Sequence, residues 1–434
     1  MSTIKLDLTK KLGKIKPMHA TGQPPIGGVP FFKHFHHLTD IGVPYSRLHD
    51  VGGVYGGNRF VDVPNIFRDF SADENDPASY DFTFTDALLA ALVEAGVEPY
   101  YRLGVTIENQ AYIKSYRIDP PADYDKWARI CEHIIAHYNE GWADGFHYNI
   151  TYWEIWNESD DSNPNDSRVS QMWNGTAEDY YRLYDVTSKH LKNRFSNIKI
   201  GGYASSGFYA LTSPADELVK YPRFPYFMDF FHGFMKYIKE HNSPIDFFSW
   251  HSYKPTETTL VWADWLHKTL TEYGYGHIET HLNEWNPCPS ERGTAHHSAE
   301  VAAMMLGMQN QAGVDMLMIY DARLMAGNYA ALFDQNTLLP CHAYYSLAAF
   351  NALYQLGTQT KLECNTTGVY AVAATDGKKN AILISNISGA TQSLNFEGAD
   401  LDGARWHVID QPRLLSWCPP QKEIGNNTVI LIEF

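Results

Sequence analysis

The chain has 434 residues, which exceeds one small domain and suits a barrel of roughly 250–350 residues with a smaller module beside it. Its 34 Lys and Arg residues against 50 Asp and Glu residues give a formal charge of −16, which argues against binding to nucleic acid. Aromatic residues make up 14% of the chain, a content that suits a carbohydrate-binding protein, although large cores also use aromatic side chains.

The N-terminus and the cysteines indicate the compartment. The start of the chain lacks the apolar core of a signal peptide, and no apolar run is long enough to cross a membrane. The five cysteines are odd in number and lack metal-site spacing, so neither a disulfide framework nor a zinc knuckle is expected. We expect a cytoplasmic protein with no membrane partner, although a secreted or periplasmic protein that had lost its leader would read the same. The oligomeric state is unknown at this level.

Short apolar runs alternate with longer amphipathic segments through most of the chain. The expected strands are 17–21, 44–49, 98–104, 148–157, 198–203, 244–251, 277–284 and 314–320. The expected helices are 84–96, 123–139, 176–195, 227–241, 259–273, 295–313 and 341–354. Alternation of this kind predicts a parallel sheet, and eight strand–helix units in order predict a (β/α)₈ TIM barrel.

Two features of the helical region add detail. Thr176 and Asp179 have the spacing of a capping box and should begin the helix that follows. The segment Ala204–Phe224 is rich in Ser, Pro and Gly and is predicted to be a long loop. Its aromatic residues are expected to close one end of a cleft at the barrel mouth, or else to pack the loop onto the barrel.

The character of the sequence changes after about Gly357. Apolar strand runs follow at Val369–Ala373, Ala381–Ser385 and Thr428–Phe434, without helical periodicity. This pattern predicts a small antiparallel β-sandwich, which the alternating residues Ile4–Leu8 extend by one strand. The predicted domains are therefore a catalytic barrel over residues 13–356 and an accessory β-sandwich formed by residues 1–12 and 357–434.

Two motifs carry the chemistry, Trp153–Glu158 and His281–Asn286. They place Glu158 and Glu284 at the C-terminal ends of the fourth and seventh barrel strands, where the active sites of such barrels lie. A pair of carboxylates can cleave a glycosidic bond, since one protonates the leaving oxygen while the other attacks the sugar carbon. The alternative is that both are ordinary strand-end charges. Glu154 is the rival within the first motif, but its deeper position predicts a buried structural carboxylate.

At this point the chain resembles glycoside hydrolase family 39. The residues that carry the resemblance are Ser46–His49, Gly53–Tyr55, Tyr80–Thr83, Pro120–Trp127, Trp156–Glu158, Asp246–Tyr253 and His281–Asn286. The resemblance implies a barrel with a β-sandwich to which the N-terminus contributes. It also implies Glu158 as acid/base, Glu284 as nucleophile, and removal of β-xylosyl, uronic-acid or arabinose-containing groups.

We therefore expect a retaining exo-acting glycoside hydrolase that cleaves a terminal unit from plant-type oligo- or polysaccharides by double displacement, without a cofactor. A β-xylosidase is the first expectation and an arabinose-releasing enzyme of the same family is the alternative. A barrel that binds sugar without cleaving it is a further alternative. A metal-dependent hydrolase would need clustered His and Asp residues at the strand ends, which the sequence does not display.

The pocket around the glutamates is predicted in less detail. Asn157 is expected to hold the sugar 2-hydroxyl, unless it bonds to the strand-end backbone instead. Further substrate-binding candidates by position are His49, His251, Tyr253, Trp285 and Tyr320, each of which could equally be a core residue. Asp50, Arg102 and the Tyr320–Asp321 pair depart from the family pattern, so the identity of the sugar is left open.

Two other motifs are given no function. His34, His36 and His37 look like a metal cluster, but adjacent residues point in different directions and no carboxylate or cysteine is seen to complete a set. A solvated helix face is expected there, and no metal site is predicted anywhere in the chain. The glycine-rich run 52–57 lacks phosphate-binding spacing.

Overall fold

The computed structural model describes residues 2–26, 34–49, 51, 61–106, 118–161, 172–324 and 329–434. Its strands are β1 (Ser2–Lys14), β2 (Ala20–Gly22), β3 (Tyr45–Leu48), β4 (Glu98–Leu103), β5 (Tyr152–Ile155), β6 (Lys199–Ser205), β7 (Phe247–Ser252), β8 (Glu279–Trp285), β9 (Met316–Tyr320), β10 (Thr358–Cys364), β11 (Val369–Thr375), β12 (Asn380–Asn386), β13 (Gln392–Glu397), β14 (Arg405–Asp410), β15 (Arg413–Cys418), β16 (Glu423–Ile424) and β17 (Thr428–Glu433). Its helices are α1 (His36–Asp40), α2 (Val63–Ile66), α3 (Thr83–Glu94), α4 (Tyr124–Asn139), α5 (Ala177–Arg194), α6 (Ala215–Lys220), α7 (Arg223–His241), α8 (Thr256–Tyr273), α9 (Ala295–Asn310) and α10 (His342–Leu356).

Strands β2 to β9 form a closed parallel barrel in sequence order, which confirms the predicted (β/α)₈ fold. Each predicted strand corresponds to one barrel strand, with shifts of a few residues at the ends. The capping box before α5 is present, since the side chains of Thr176 and Asp179 each accept a hydrogen bond from the backbone N–H of the other. Local sequence signals therefore fix the element order.

Large side chains fill the lower part of the barrel. Tyr100, Tyr152 and Phe247 pack there with methionines of β9. His281 joins this layer through a 3.1 Å contact between its Nδ1 and the Tyr100 hydroxyl. The interior is a packed core rather than a pore, so a substrate can approach only the C-terminal rim.

The accessory domain is one curled sheet of nine strands in the order β15-β14-β17-β12-β11-β10-β1-β13-β16. The N-terminal strand β1 lies inside it, antiparallel to β10 and parallel to β13. The predicted N-terminal contribution is therefore present, although the strand is longer than expected and the sheet is not purely antiparallel. One side encloses its own apolar core around Ile4, whereas Leu383 and Leu431 on the other side pack into the core of the barrel.

The segment Ala204–Phe224 differs from the predicted loop. It contains a 3₁₀ turn at Tyr209–Leu211 and the short helix α6. Phe208 is fully buried against aromatic rings of α7 and α8. The prediction of a loop without helical structure is therefore wrong, and for Phe208 the packing alternative holds, because this ring gains more from burial against the barrel helices than from exposure at the rim.

Some predicted features lie outside the described residues, namely Asp50 and the glycine-rich run with Gly53–Tyr55. No helix in the described ranges combines the length and the apolar character needed to cross a bilayer.

The placement of β1 gives a stability test. Ile4 is fully buried in the sheet core, whereas its neighbour Lys5 is exposed on the opposite face. We expect Ile4→Ala to lower the free energy of unfolding by about 2–5 kcal/mol. Lys5→Ala should change it by no more than about 0.5 kcal/mol. Denaturant titration followed by circular dichroism measures both, and equal losses would show that β1 is not an integral strand.

Candidate active site

Glu158 and Glu284 face each other across the barrel rim. Glu158 follows β5 and Glu284 lies near the end of β8. One carboxylate oxygen of each, together with a ring nitrogen of His251, lie within 4.8 Å of one another. The two motifs, separated by more than a hundred residues of sequence, thus meet at one point.

The backbone around Glu158 turns sharply to present its side chain. Trp156 and Glu158 have φ angles of 72° and 45°, in the left-handed region that L-residues rarely occupy. The Glu158 N–H donates to the carbonyls of Tyr203 and Ala204 at 3.1 Å each, which ties this turn to β6. The β5 pleat therefore ends before Glu158, and the carboxylate points into the rim with a side chain 22% exposed.

The neighbouring residue Asp160 holds the same turn. It is fully buried and accepts hydrogen bonds from the hydroxyls of Ser205 and Ser206 at 3.0 and 2.7 Å. Burial raises the pKa of Asp160 to about 8, and the charge of Glu158 adds to the rise that the serine hydrogen bonds oppose. The turn is thus anchored on both sides of Ser159.

A bulge in β8 directs Glu284 into the pocket. Trp250 pairs with Leu282 and His251 pairs with Glu284, so β8 advances by two residues where β7 advances by one. Asn283 is the extra residue, and both it and Glu284 make contacts inside the barrel. Strict alternation would have sent one of them to the outer face.

Three groups hold the Glu284 carboxylate, which is 9% exposed. The Tyr253 hydroxyl donates to Oε1 at 2.5 Å, and Arg47 Nη1 donates to Oε2 at 3.1 Å. His251 Nε2 lies 3.7 Å from the same oxygen. Burial raises the pKa of Glu284 above its ordinary value, as does the charge of Glu158, while His251, Arg47 and Tyr253 oppose that rise.

Arg47 on β3 connects most of the site. Its Nε donates to Glu154 Oε2 at 2.8 Å, and its Nη2 donates to Asn157 Oδ1 at 2.5 Å. The other oxygen of Glu154 accepts from Asn283 Nδ2 at 2.6 Å. Glu154 is thus fully buried, and each of its two oxygens accepts a hydrogen bond. This is the environment expected of a structural carboxylate.

His251 lies between the two glutamates. Its Nδ1 is 2.7 Å from Glu158 Oε1, on the opposite side of the ring from the nitrogen near Glu284. A single proton can occupy either member of the His251–Glu158 contact. The imidazole therefore links the charge states of both carboxylates.

The other predicted pocket residues divide into two groups. His49 is buried close to the rim, and burial followed by the charge of Arg47 holds its pKa well below the usual range, so its ring is neutral. Tyr253 and Tyr320 form an aromatic pair with ring centroids 6.4 Å apart. Trp285, in contrast, is fully buried in the hydrophobic core, because it alternates with Glu284 and points away from the pocket. This position favours the alternative that Trp285 is a core residue, and its part in substrate binding stays a prediction.

Several residues near the rim were not predicted. The Tyr329 ring lies 4.8 Å from that of Tyr253 and is 49% exposed, which suits a contact with a ligand. Arg323 lies over the Tyr320 ring at 5.5 Å and donates to Asp321 Oδ2 at 2.7 Å. The departure of Tyr320 and Asp321 from the family pattern was the sequence signal for this part of the rim. The positions that follow have no periodic pattern, so Arg323 and Tyr329 could not be predicted.

Two further charged or polar groups surround the site. Arg102, noted as a departure, is fully buried and donates to Asp62 Oδ1 at 2.8 Å. Burial, and after it the charge of Glu158, raises the pKa of Tyr209. The Tyr209 ring packs on Phe224, with ring centroids 4.7 Å apart, and Lys254 Nζ lies 5.4 Å from its centroid.

Two clusters in the described part of the chain have the spacing of metal ligands. One is Glu158, His251 and Glu284 at the strand ends, and the other is His36, His37 and Asp40 in α1. The expectation that no carboxylate accompanies the histidines is wrong, because Asp40 lies one helical turn beyond His36.

The Arg47 network gives a second test. Arg47→Met leaves the buried Glu154 without its ion partner, and we expect a loss of about 3–5 kcal/mol in the free energy of unfolding. Adding Glu154→Gln should recover part of that loss. Arg68→Met removes a surface ion pair whose side chains are 64% and 36% exposed and should have little effect. Equal losses for both arginines in denaturant titrations would contradict the role of Arg47.

Comparisons with known proteins identify the family and the fold. A β-xylosidase from Geobacillus stearothermophilus is 22% identical over 301 residues, which cover 63% of this chain and 52% of the relative. The chain thus spans about half the length of the curated relatives it matches. The structure of a glucosidase from Croceicoccus marinus aligns with a TM-score of 0.77 at 18% identity, covering 100% of this chain and 98% of the other. A monomeric β-xylosidase from Caulobacter crescentus aligns at 0.68 with 15% identity and 99% coverage of both chains.

These structural likenesses show the fold alone. The family model for glycosyl hydrolases family 39 matches residues 49–360, which include both glutamates and all barrel strands except β2 and β3. The match covers well over half of the chain and confirms the resemblance noted in the sequence. The chain belongs to glycosyl hydrolases family 39.

Proposed function

We propose that the protein is a retaining exo-acting glycoside hydrolase in which Glu158 is the acid/base, Glu284 is the nucleophile and a β-xylosyl unit is the first substrate to test. The observation that supports it best is the pair of carboxylates with oxygens within 4.8 Å of each other and with different surroundings. Retaining enzymes hold their carboxyl groups roughly 5–5.5 Å apart, whereas inverting enzymes need about 6.5–9.5 Å to admit a water molecule.

The reaction proceeds in two displacements. Glu158 gives its proton to the glycosidic oxygen as that bond breaks, and Glu284 forms a bond to the sugar carbon. Glu158, now ionised, then takes a proton from a water molecule, whose oxygen replaces Glu284 at the sugar carbon. Both carboxyl groups return to their first state, and the sugar leaves with its original configuration.

The surroundings support this assignment of roles. Glu284 receives two donors, Tyr253 and Arg47, which stabilise the charged form that a nucleophile needs. Glu158 is the more exposed carboxylate, at 22% against 9%, so it can exchange a proton with the leaving group and with water. His251 Nδ1 provides a second place for that proton at 2.7 Å.

Asn157 has a positioning role in the same proposal. Arg47 holds its carbonyl oxygen, so its amide nitrogen is the group that can donate to a sugar hydroxyl. Tyr253, Tyr320 and Tyr329 form an aromatic group beside Glu284, and Tyr329 is half exposed. This group supports a pocket for a terminal sugar unit.

The relatives guide the choice of sugar. Two curated relatives are β-xylosidases, which supports xylose as the first substrate. Release of arabinose is the alternative within the same reaction class. The strand-end cluster of Glu158, His251 and Glu284 also has metal-site spacing, so metal-assisted hydrolysis is the alternative of a different class.

The test combines substrates with variants. We expect the wild type to hydrolyse a nitrophenyl β-xyloside, and Glu284→Ala to lose turnover on every substrate. Glu158→Ala should retain turnover on nitrophenyl glycosides, because a good leaving group departs without protonation. Azide should accelerate this variant and yield a glycosyl azide of retained configuration.

The controls separate the alternatives. A retained azide product from Glu284→Ala, together with an inverted one from Glu158→Ala, would show that the two roles are exchanged. Sugar binding without hydrolysis of any glycoside in the panel would favour a binding protein. Loss of activity in EDTA that Zn²⁺ restores would favour metal-assisted hydrolysis. Mid-length fragments appearing early from xylan would contradict the exo assignment.

The hydroxyl of Tyr253 should set the acidic side of the pH profile. Its hydrogen bond lowers the pKa of Glu284, so Tyr253→Phe should raise that pKa. Activity requires ionised Glu284, and the acidic limb of kcat/KM should therefore move to higher pH. Tyr329→Phe is the matched control, since that ring packs on Tyr253 and should leave the limb in place. An unshifted limb in Tyr253→Phe would contradict Glu284 as the titrating nucleophile.

A further inference from the structure

The second cluster with metal-ligand spacing lies in α1, apart from the catalytic residues. Donor atoms of His36, His37 and Asp40 fall within 4.8 Å of one another. The rings of His36 and His37 are 4.1 Å apart at their centroids. One short segment therefore gathers two imidazoles and a carboxylate around one point.

His34 supplies a fourth donor beside this point. Its ring centroid lies 6.1 Å from that of His37 and 6.4 Å from that of His36. His34 does not belong to the group within 4.8 Å, so it joins the set only in another rotamer. The set is then three imidazoles and one carboxylate, a number of donors that completes a tetrahedral site.

The segment is held against the barrel. Phe35 and Leu38 are buried in the barrel core, which fixes the turn that carries the histidines. The His37 ring packs against Phe333 and Tyr344, with centroids 5.1 and 5.8 Å away.

Its backbone is fixed as well, since the Tyr344 hydroxyl donates to the His37 carbonyl at 3.0 Å. One ligand is therefore preorganised, while His36 and Asp40 remain exposed to incoming ions.

We propose that His36, His37 and Asp40, joined by His34, form a binding site for a borderline divalent ion of the Zn²⁺ type. Imidazole and carboxylate donors suit Zn²⁺, Ni²⁺ and Cu²⁺, whereas Mg²⁺ and Ca²⁺ prefer sites built from oxygen alone. The ion bridges His36 and Asp40 across one helical turn at the seam where α1 meets α10. Because these donors converge only in the folded chain, the bound ion stabilises the native state.

The test measures Zn²⁺ binding to the full chain by calorimetry in excess Mg²⁺, together with the thermal midpoint of unfolding. The wild type should bind Zn²⁺ and show a raised Tm. His36→Ala and Asp40→Asn should each weaken binding at this site at least tenfold and abolish the rise in Tm. Both positions are exposed, so the variants retain the core packing of the wild type.

Two controls separate this site from other histidines and from the catalytic cluster. His241→Ala removes a histidine of α7 that is bonded to its own helix and should bind Zn²⁺ as the wild type does. Glu284→Gln should keep the Tm rise, because it alters only the strand-end cluster. Wild-type affinity in both His36→Ala and Asp40→Asn, or loss of all Zn²⁺ binding in Glu284→Gln, would overturn the proposal.

Discussion

The arrangement of the proposed catalytic groups depends on the buried guanidinium of Arg47. Arg47 is fully buried, and a guanidinium in that position is tolerated only where carboxylates and carbonyl oxygens surround it. Its partners come from different strands, with Glu154 and Asn157 on the β5 side and Glu284 on β8. The need to pair this one charge therefore fixes the spacing of the strands that carry the proposed catalytic groups. The packed aromatic layer beneath closes the barrel and leaves the rim as the only place for chemistry.

The two glutamates differ because their surroundings differ. Glu284 lies deeper, accepts hydrogen bonds from Tyr253 and Arg47, and is suited to remain charged. Glu158 stands on a turn with left-handed residues, is more exposed, and shares a close contact with His251. Such strained turns are found where a side chain must be held in a set direction. Two glutamates at the same barrel rim thus differ in how strongly their surroundings stabilise the charged form.

The accessory sheet and the cluster of His36, His37 and Asp40 in α1 each lie at a contact between two parts of the fold. Leu383 and Leu431 join the sheet to the barrel core, so the two share apolar packing rather than a flexible linker. His37 similarly rests on Phe333 and Tyr344, which links the first helix of the barrel to the last. A metal ion bound where α1 meets α10 would help to close the barrel without contacting the proposed catalytic glutamates. It would therefore act on stability and not on catalysis.

Periodicity in the sequence determined the eight barrel strands, their helices, the capping box of α5 and the strand character of residues beyond 357, because each follows from local hydrogen bonding and burial. It also placed Glu158 and Glu284 at strand ends. Only the tertiary structure decided which side chains meet. The extra residue Asn283 in β8 and the partners of Arg47 leave no local signal. These outcomes depend on pairing register and on contacts between distant strands, which local pattern cannot encode.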